Sequence, residues 1–99
     1  MAAEAELERY LVSEVKRLGG EQRKVQWIAR RAAPDRLVWW PGAPALVELK
    51  RPGKAAEPHQ AREHAKLATA FDVRVIDNKE DLDALLNALC HRSRIATGG

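Results

Sequence analysis

A chain of 99 residues, 45% apolar and 31% charged, fits one domain around one core, and no run of a single composition marks disorder or low complexity. A lone cysteine, Cys90, excludes an internal disulfide and a Cys-rich zinc site. No apolar stretch approaches the roughly 20 residues that span a bilayer, and a start carrying Glu4, Glu6 and Glu8 lacks the basic lead and apolar core of a signal peptide, so a soluble, cytoplasmic domain with no membrane partner is expected. The net charge of +3, with an isoelectric point of about 9.4, is concentrated in Arg23, Lys24, Arg30, Arg31, Arg36, Lys50, Arg51 and Lys54, which suggests a polyanionic partner.

Leu7, Leu11, Val15 and Leu18 recur at helical spacing and Gly19-Gly20 supplies a stop, which predicts an amphipathic helix from about Ala3 to Leu18. Glu6 points away from its apolar stripe, Glu4 falls on the stripe and Glu8 on its flank. Val25 to Ala29 reads as a short strand, followed by the basic Arg30-Arg31. The segments Pro34 to Trp40 and Leu46 to Lys50 read as two strands joined by Pro41-Gly42-Ala43-Pro44. Symmetric pairing about that turn sets Trp40 opposite Ala45, Leu37 opposite Glu48 and Asp35 opposite Lys50. Pro52-Gly53 closes the third strand, and Pro58 opens a second helix to about Ala70, with Gln60, Glu63, His64, Leu67 and Phe71 on one face. Val73 to Ile76 is a fourth strand. Asn78 caps a last helix striped by Leu82, Leu85, Leu86 and Leu89, with Cys90 packed near its end and a flexible tail over 93–99 beyond a single domain of 1–92. This order, α-β-β-β-α-β-α, implies an α/β sandwich: a mixed sheet of about four strands flanked by helices.

In such a hairpin Asp35, Glu48 and Lys50 share one face. Opposed positions of an antiparallel pair lie roughly 4.5 to 5.5 Å apart at Cβ, so two carboxylates there are placed to share a small divalent cation. Two acids and a lysine at a metal constitute phosphodiesterase chemistry. Taken alone, an ordinary ribbon with a charged, wet face is the better explanation of Glu48-Leu49-Lys50; the upstream Pro34-Asp35, the acidic first helix and the basic chain shift the balance. His59 and His64 lack the four-residue spacing of helical zinc ligands and His91 lies near the tail, so surface or edge positions are expected for all three. Trp39 and Trp40 alternate across the sheet. One belongs to the core, and the other is open to packing under a helix, stacking on a base or a subunit contact, with packing favoured.

The pattern Ala33-Pro34-Asp35-Arg36, then Glu48-Leu49-Lys50-Arg51-Pro52-Gly53 and later Gln60, resembles the VRR-NUC branch of the PD-(D/E)XK nuclease superfamily. The run from Glu8-Arg9-Tyr10-Leu11-Val12 to Leu18-Gly19-Gly20 resembles the first helix of that superfamily, including the small archaeal-type Holliday-junction resolvases, and its spacing selects Glu8 over Glu4. The likeness extends nearly end to end. It departs at Ala32, where the family usually has glycine, and at Phe71-Asp72, where a glycine-containing turn is common; neither touches the acids or the lysine.

The resemblance implies a restriction-endonuclease-like fold and a Mg²⁺-dependent endodeoxyribonuclease, with Mn²⁺ as a substitute. Asp35, Glu48 and the Leu49 carbonyl would ligate the ion, joined by Glu8 directly or through water. Lys50 would orient or deprotonate the attacking water, and Gln60 would position Lys50 or the phosphate. Arg36, Arg51 and Lys54 would track the DNA backbone. Stand-alone phage and bacterial members further imply a homodimer acting on branched DNA such as a four-way Holliday junction. The alternative is a non-catalytic DNA-binding module on the same fold, against which the full set Glu8, Asp35, Glu48, Lys50 and Gln60 argues.

Overall fold

A two-residue turn sets the register of the central hairpin. In the computed structural model, which describes residues 2–28 and 33–98, strands β2 (Arg36–Trp40) and β3 (Ala43–Leu49) pair antiparallel, with Trp40 opposite Ala43, Leu37 opposite Leu46 and Arg36 opposite Val47. Only Pro41 and Gly42 turn the chain. Gly42 has φ +76°, and a proline followed by a glycine at positive φ is the type II combination. The four-residue turn expected from the sequence is therefore two residues too long. Pro44 belongs to β3: it precedes the first residue that β4 (Asp72–Ile76) pairs, Ala45 with Asp72, so its missing N–H removes no bond to that strand. A shift of two keeps every side chain on its expected face but changes the partners. Glu48 no longer faces Leu37, and Asp35, one step beyond the Arg36–Val47 pair, falls opposite Glu48 and not Lys50.

The first strand also departs from expectation. β1 is Glu21–Lys24, antiparallel to β2 with Glu21 opposite Trp39 and Lys24 opposite Arg36, and the ladder extends one bond further where Val25 N–H donates to the Asp35 carbonyl at 2.8 Å. The apolar residues assigned to a strand instead enter a loop. Trp27 Nε1 donates to the Pro34 carbonyl at 2.7 Å, and Ile28 is 94% exposed; Ala29, Arg30, Arg31 and Ala32 lie outside the described residues. β1 is an edge strand built wholly of polar residues, a composition that discourages pairing with other chains and that an apolar pattern cannot reveal. β3 and β4 run parallel, giving one mixed sheet in the order β1-β2-β3-β4.

Helices α1 (Ala2–Arg17) and α3 (Lys79–Thr97) cover one face of this sheet. Leu7, Leu11 and Val15 of α1 and Leu82, Leu86 and Leu89 of α3 are buried with Val38, Ala45 and Val47 from the strands beneath. Tyr10 ties the helices together by donating to Asp83 Oδ1 at 2.6 Å, a hydrogen bond that pushes the phenol up to about 12. Trp40 closes the far end of the core: its indole N–H donates to the Leu18 carbonyl at 2.9 Å, and a Cβ on Gly20 would sit 2.5 Å from its ring. Glycine is required there by proximity.

Asn78 caps α3 as expected, accepting from Asp81 N–H at 2.7 Å, and Cys90 is buried near the end of that helix. Residues 93–97 are not a tail, because they complete α3. Ser93 is buried and its hydroxyl donates to the Pro41 carbonyl at 2.5 Å, so the last helical turns brace the β2–β3 turn. Helix α2 (Pro58–Leu67) makes the parallel crossover and packs against β4 on the opposite face, ending short of Ala70.

Candidate active site

The pleat carries Asp35, Glu48 and Lys50 to the same face at the open end of the hairpin. Leu46, Glu48 and Lys50 alternate with Val47 and Leu49, and Leu37 and Asp35 lie across from them. Lys50 Nζ stands 3.7 Å from Glu48 Oε2, with the two side chains only 13% and 14% exposed. Lys50 N–H donates to the Ile76 carbonyl at 2.9 Å, which holds the backbone just beyond β3 against β4. Burial pushes the Glu48 carboxyl above its ordinary range, the Asp35 charge adds to the rise, and Lys50 pulls in the other direction.

Two acids and an ammonium group thus converge where water is partly excluded. Among the described residues no three His, Cys, Asp or Glu side chains form a metal-holding group. Asp35 and Glu48 lie on one face there, with the Leu49 carbonyl on the same strand end.

No protein-family model matches the chain. Over 88 residues it is 44% identical to "Putative nuclease p44" of Acyrthosiphon pisum secondary endosymbiont phage 1, an alignment spanning 87% of this chain and 94% of that protein. A solved structure described as a VRR-NUC domain matches with a TM-score of 0.77 and 32% identity, covering 86% of this chain and 95% of that one. This chain belongs to the VRR-NUC family.

Within this VRR-NUC domain the remaining site residues fall into two groups. Glu8 and Arg36 meet each other on the helix-covered face, away from the acid pair. Arg36 Nη2 lies 3.3 Å from Glu8 Oε2 and Arg36 Nη1 donates to Gln22 Oε1 at 2.8 Å, with the arginine side chain 7% exposed. The expected role of Arg36 on the DNA backbone is corrected accordingly: even-numbered positions of β2 face α1, and a buried guanidinium that already has partners cannot also reach a surface phosphate. The carboxylate of α1 whose charge is felt at Glu48 is Glu4, as the smallest of the upward influences. Glu4 lies one turn before Glu8, on the apolar stripe where Glu8 is on its flank; helical spacing left both open, and the family pattern favoured Glu8.

Gln60 stands in the first turn of α2, where its Oε1 accepts from Glu57 N–H at 3.0 Å and so caps its own helix. Arg51 is exposed beyond β3, and Lys54 pairs loosely with Glu57 at 3.4 Å, both side chains about half exposed. His59 and His91 are exposed as expected, whereas His64 is buried beneath α2. Trp40 is the core tryptophan, and Trp39 lies half-buried on the face that carries Asp35 and Glu48.

Proposed function

We propose that this VRR-NUC domain is a divalent-metal-dependent endonuclease that hydrolyses phosphodiester bonds of branched DNA. The observation that carries the reading is the placement of Asp35 opposite Glu48 with Lys50 Nζ 3.7 Å from Glu48. Burial, with the Asp35 charge beside it, raises the proton affinity of Glu48, and a partly buried carboxylate next to a second one is costly to keep charged unless a cation shares them. Their hard carboxylate oxygens suit Mg²⁺, and Mn²⁺ as a substitute.

Asp35, Glu48 and the Leu49 carbonyl would hold the ion. When bound, such an ion supplies Lewis-acid neutralisation of the phosphate and a more acidic water. The protein's own groups do the rest. The Lys50 ammonium, anchored by Glu48, orients the attacking water and offsets charge gathering on the phosphate oxygens. Glu4 adds negative charge at the start of α1. Gln60, with its oxygen committed to the helix cap, presents its NH₂ group for a phosphate contact. Arg51 and Lys54 border this end of the sheet and track the backbone without reading sequence.

A chain this small has little surface for base-specific contacts, so shape is the feature it selects. Two copies related by a twofold axis would present two such sites and cut paired strands of a four-way junction. The test is cleavage of linear, nicked, flapped and four-way DNA in Mg²⁺, Mn²⁺ or EDTA, with Asp35→Ala and Glu48→Ala in parallel. Metal-dependent cutting of the branched forms that both substitutions abolish, with DNA binding retained, is the expected outcome. Undiminished cutting by the two variants would remove the site.

A further inference from the structure

Trp39 is a large aromatic ring on the side of the sheet away from α1 and α3, and α2 packs against β4, two strands distant. The pairing of Glu21 with Trp39 and of Arg23 with Leu37 puts these side chains on the face that also carries Asp35 and Glu48. The Arg23 guanidinium lies over the Trp39 ring, 5.3 Å from its centroid. Arg23 also donates to Glu21 Oε1 at 3.2 Å and to the Gln22 carbonyl at 2.7 Å. With the Arg23 and Glu21 side chains 63% and 58% exposed, that ion pair contributes little and is readily exchanged for a phosphate. The surface is thus a half-buried indole with an exposed guanidinium above it, in line with the acid pair.

Resting on the nuclease reading above, we propose that Trp39, with Arg23, is a stacking platform for an unpaired base of the DNA. Trp39 is four residues along β2 from Asp35, a strand distance of about 13 Å, close to the rise of about four stacked nucleotides. A base inside a continuous duplex has both faces covered by its neighbours. A base splayed out at a flap or junction offers one face to the indole, while Arg23 moves to the adjoining phosphate. The opposed charges of Arg23 and a nucleic-acid backbone favour this occupant over a second copy of a chain that is itself net positive. The platform is a binding and positioning element; it favours substrates in which a base is already unpaired near the scissile bond.

The test measures binding in EDTA by fluorescence anisotropy, comparing blunt duplex with duplex carrying a four-nucleotide flap. Trp39→Ala should weaken flap binding about tenfold while changing blunt-duplex binding by less than about twofold. Trp39→Phe keeps an aromatic face and should retain most of the affinity, and Arg23→Ala should lose part of it. Equal losses on both DNAs, or no loss on the flap, overturn the platform. So does a loss that coincides with dissociation of a dimer on gel filtration, which would assign Trp39 to a contact between copies. Trp39→Phe and Arg23→Ala keep the question answerable should Trp39→Ala fold poorly. Flap cleavage that depends on Asp35, together with undiminished flap binding by Trp39→Ala, would sink the platform alone; wild-type protein that binds neither DNA sinks the nuclease reading with it.

Discussion

Asp35 falls opposite Glu48 one step past the last paired residues of β2 and β3, and its charge joins burial in holding the Glu48 carboxyl above the usual carboxylate range. A carboxyl whose pKa rises on folding binds its proton more tightly in the folded chain. The stability it contributes is present below the unfolded value of 4.5 and is lost as pH rises through the folded value. At neutral pH, charged Glu48 is therefore a cost to the metal-free protein. Glu48→Gln should raise stability at pH 7 in EDTA by about 1 kcal/mol, and the gain should vanish on acidification below the unfolded value. Mg²⁺ should raise the melting temperature of wild type and leave that of the variant unchanged. Thermal melts across pH, with and without the ion, check both; a variant less stable than wild type at pH 7 would contradict the account.

Lys50 acts on Glu48 in the opposite sense, since its ammonium lowers the proton affinity that burial and Asp35 raise. Lys50→Ala should reduce cleavage by about 10² to 10³. It should also move the acid limb of the residual pH–rate profile to higher pH, because Glu48 then holds its proton longer. Lys50→Arg should not restore the rate, as a planar fork does not replace a compact ammonium group at 3.7 Å from one oxygen. A pH–rate profile in Mn²⁺ with an unmoved acid limb would separate Lys50 from Glu48.

Arg36 and Arg51 differ in what their loss should do, although both lie in the basic stretch of the sequence. Arg36→Ala empties a buried position and leaves Glu8 and Gln22 without their partner, at a cost of about 2 kcal/mol in stability. The salt dependence of DNA binding should not change. Arg51→Ala combined with Lys54→Ala should leave stability nearly untouched and flatten the slope of log K against log salt by about 2, one phosphate contact for each residue. Denaturation curves and a salt titration of the two variants distinguish a structural arginine from a backbone-tracking one.

Periodicity made most of this fold legible. Leu7, Leu11 and Val15 marked α1, Leu82 to Leu89 marked α3, and alternation across Leu46 to Lys50 put Glu48 and Lys50 on one face. The element order, with its helical crossover, implied the mixed sheet of four strands. What pattern could not show was governed by position in the assembled sheet. β1 is polar because it forms an edge, and the apolar Trp27 is held in a loop by a single indole hydrogen bond. The turn is short because Pro44 loses no ladder bond just ahead of β4. The candidate site was legible as a set of residue types on one face, and the two-residue shift in register then paired acid with acid. Arg36 was misread because its charge suggested a surface role, whereas its parity on β2 turned it inward toward Glu8.

Glu4 and Glu8 offer a further contrast, because the family pattern selects the second while the first adds the smallest of the upward influences on Glu48. Glu8 is held by Arg36 but remains 43% exposed, so water already screens the pair. Glu8→Gln should therefore cost less than about 1 kcal/mol in stability, and cleavage should change little. Glu4→Gln removes a negative charge that acts on Glu48. It should lower Glu48's proton affinity, shift the acid limb of the pH–rate profile to lower pH, and weaken metal-dependent cleavage more than Glu8→Gln does. Side-by-side cleavage rates at several Mg²⁺ concentrations decide between them. A larger loss from Glu8→Gln at saturating metal, with stability intact, would return the first-helix role to Glu8 and require its ion pair with Arg36 to open when DNA binds.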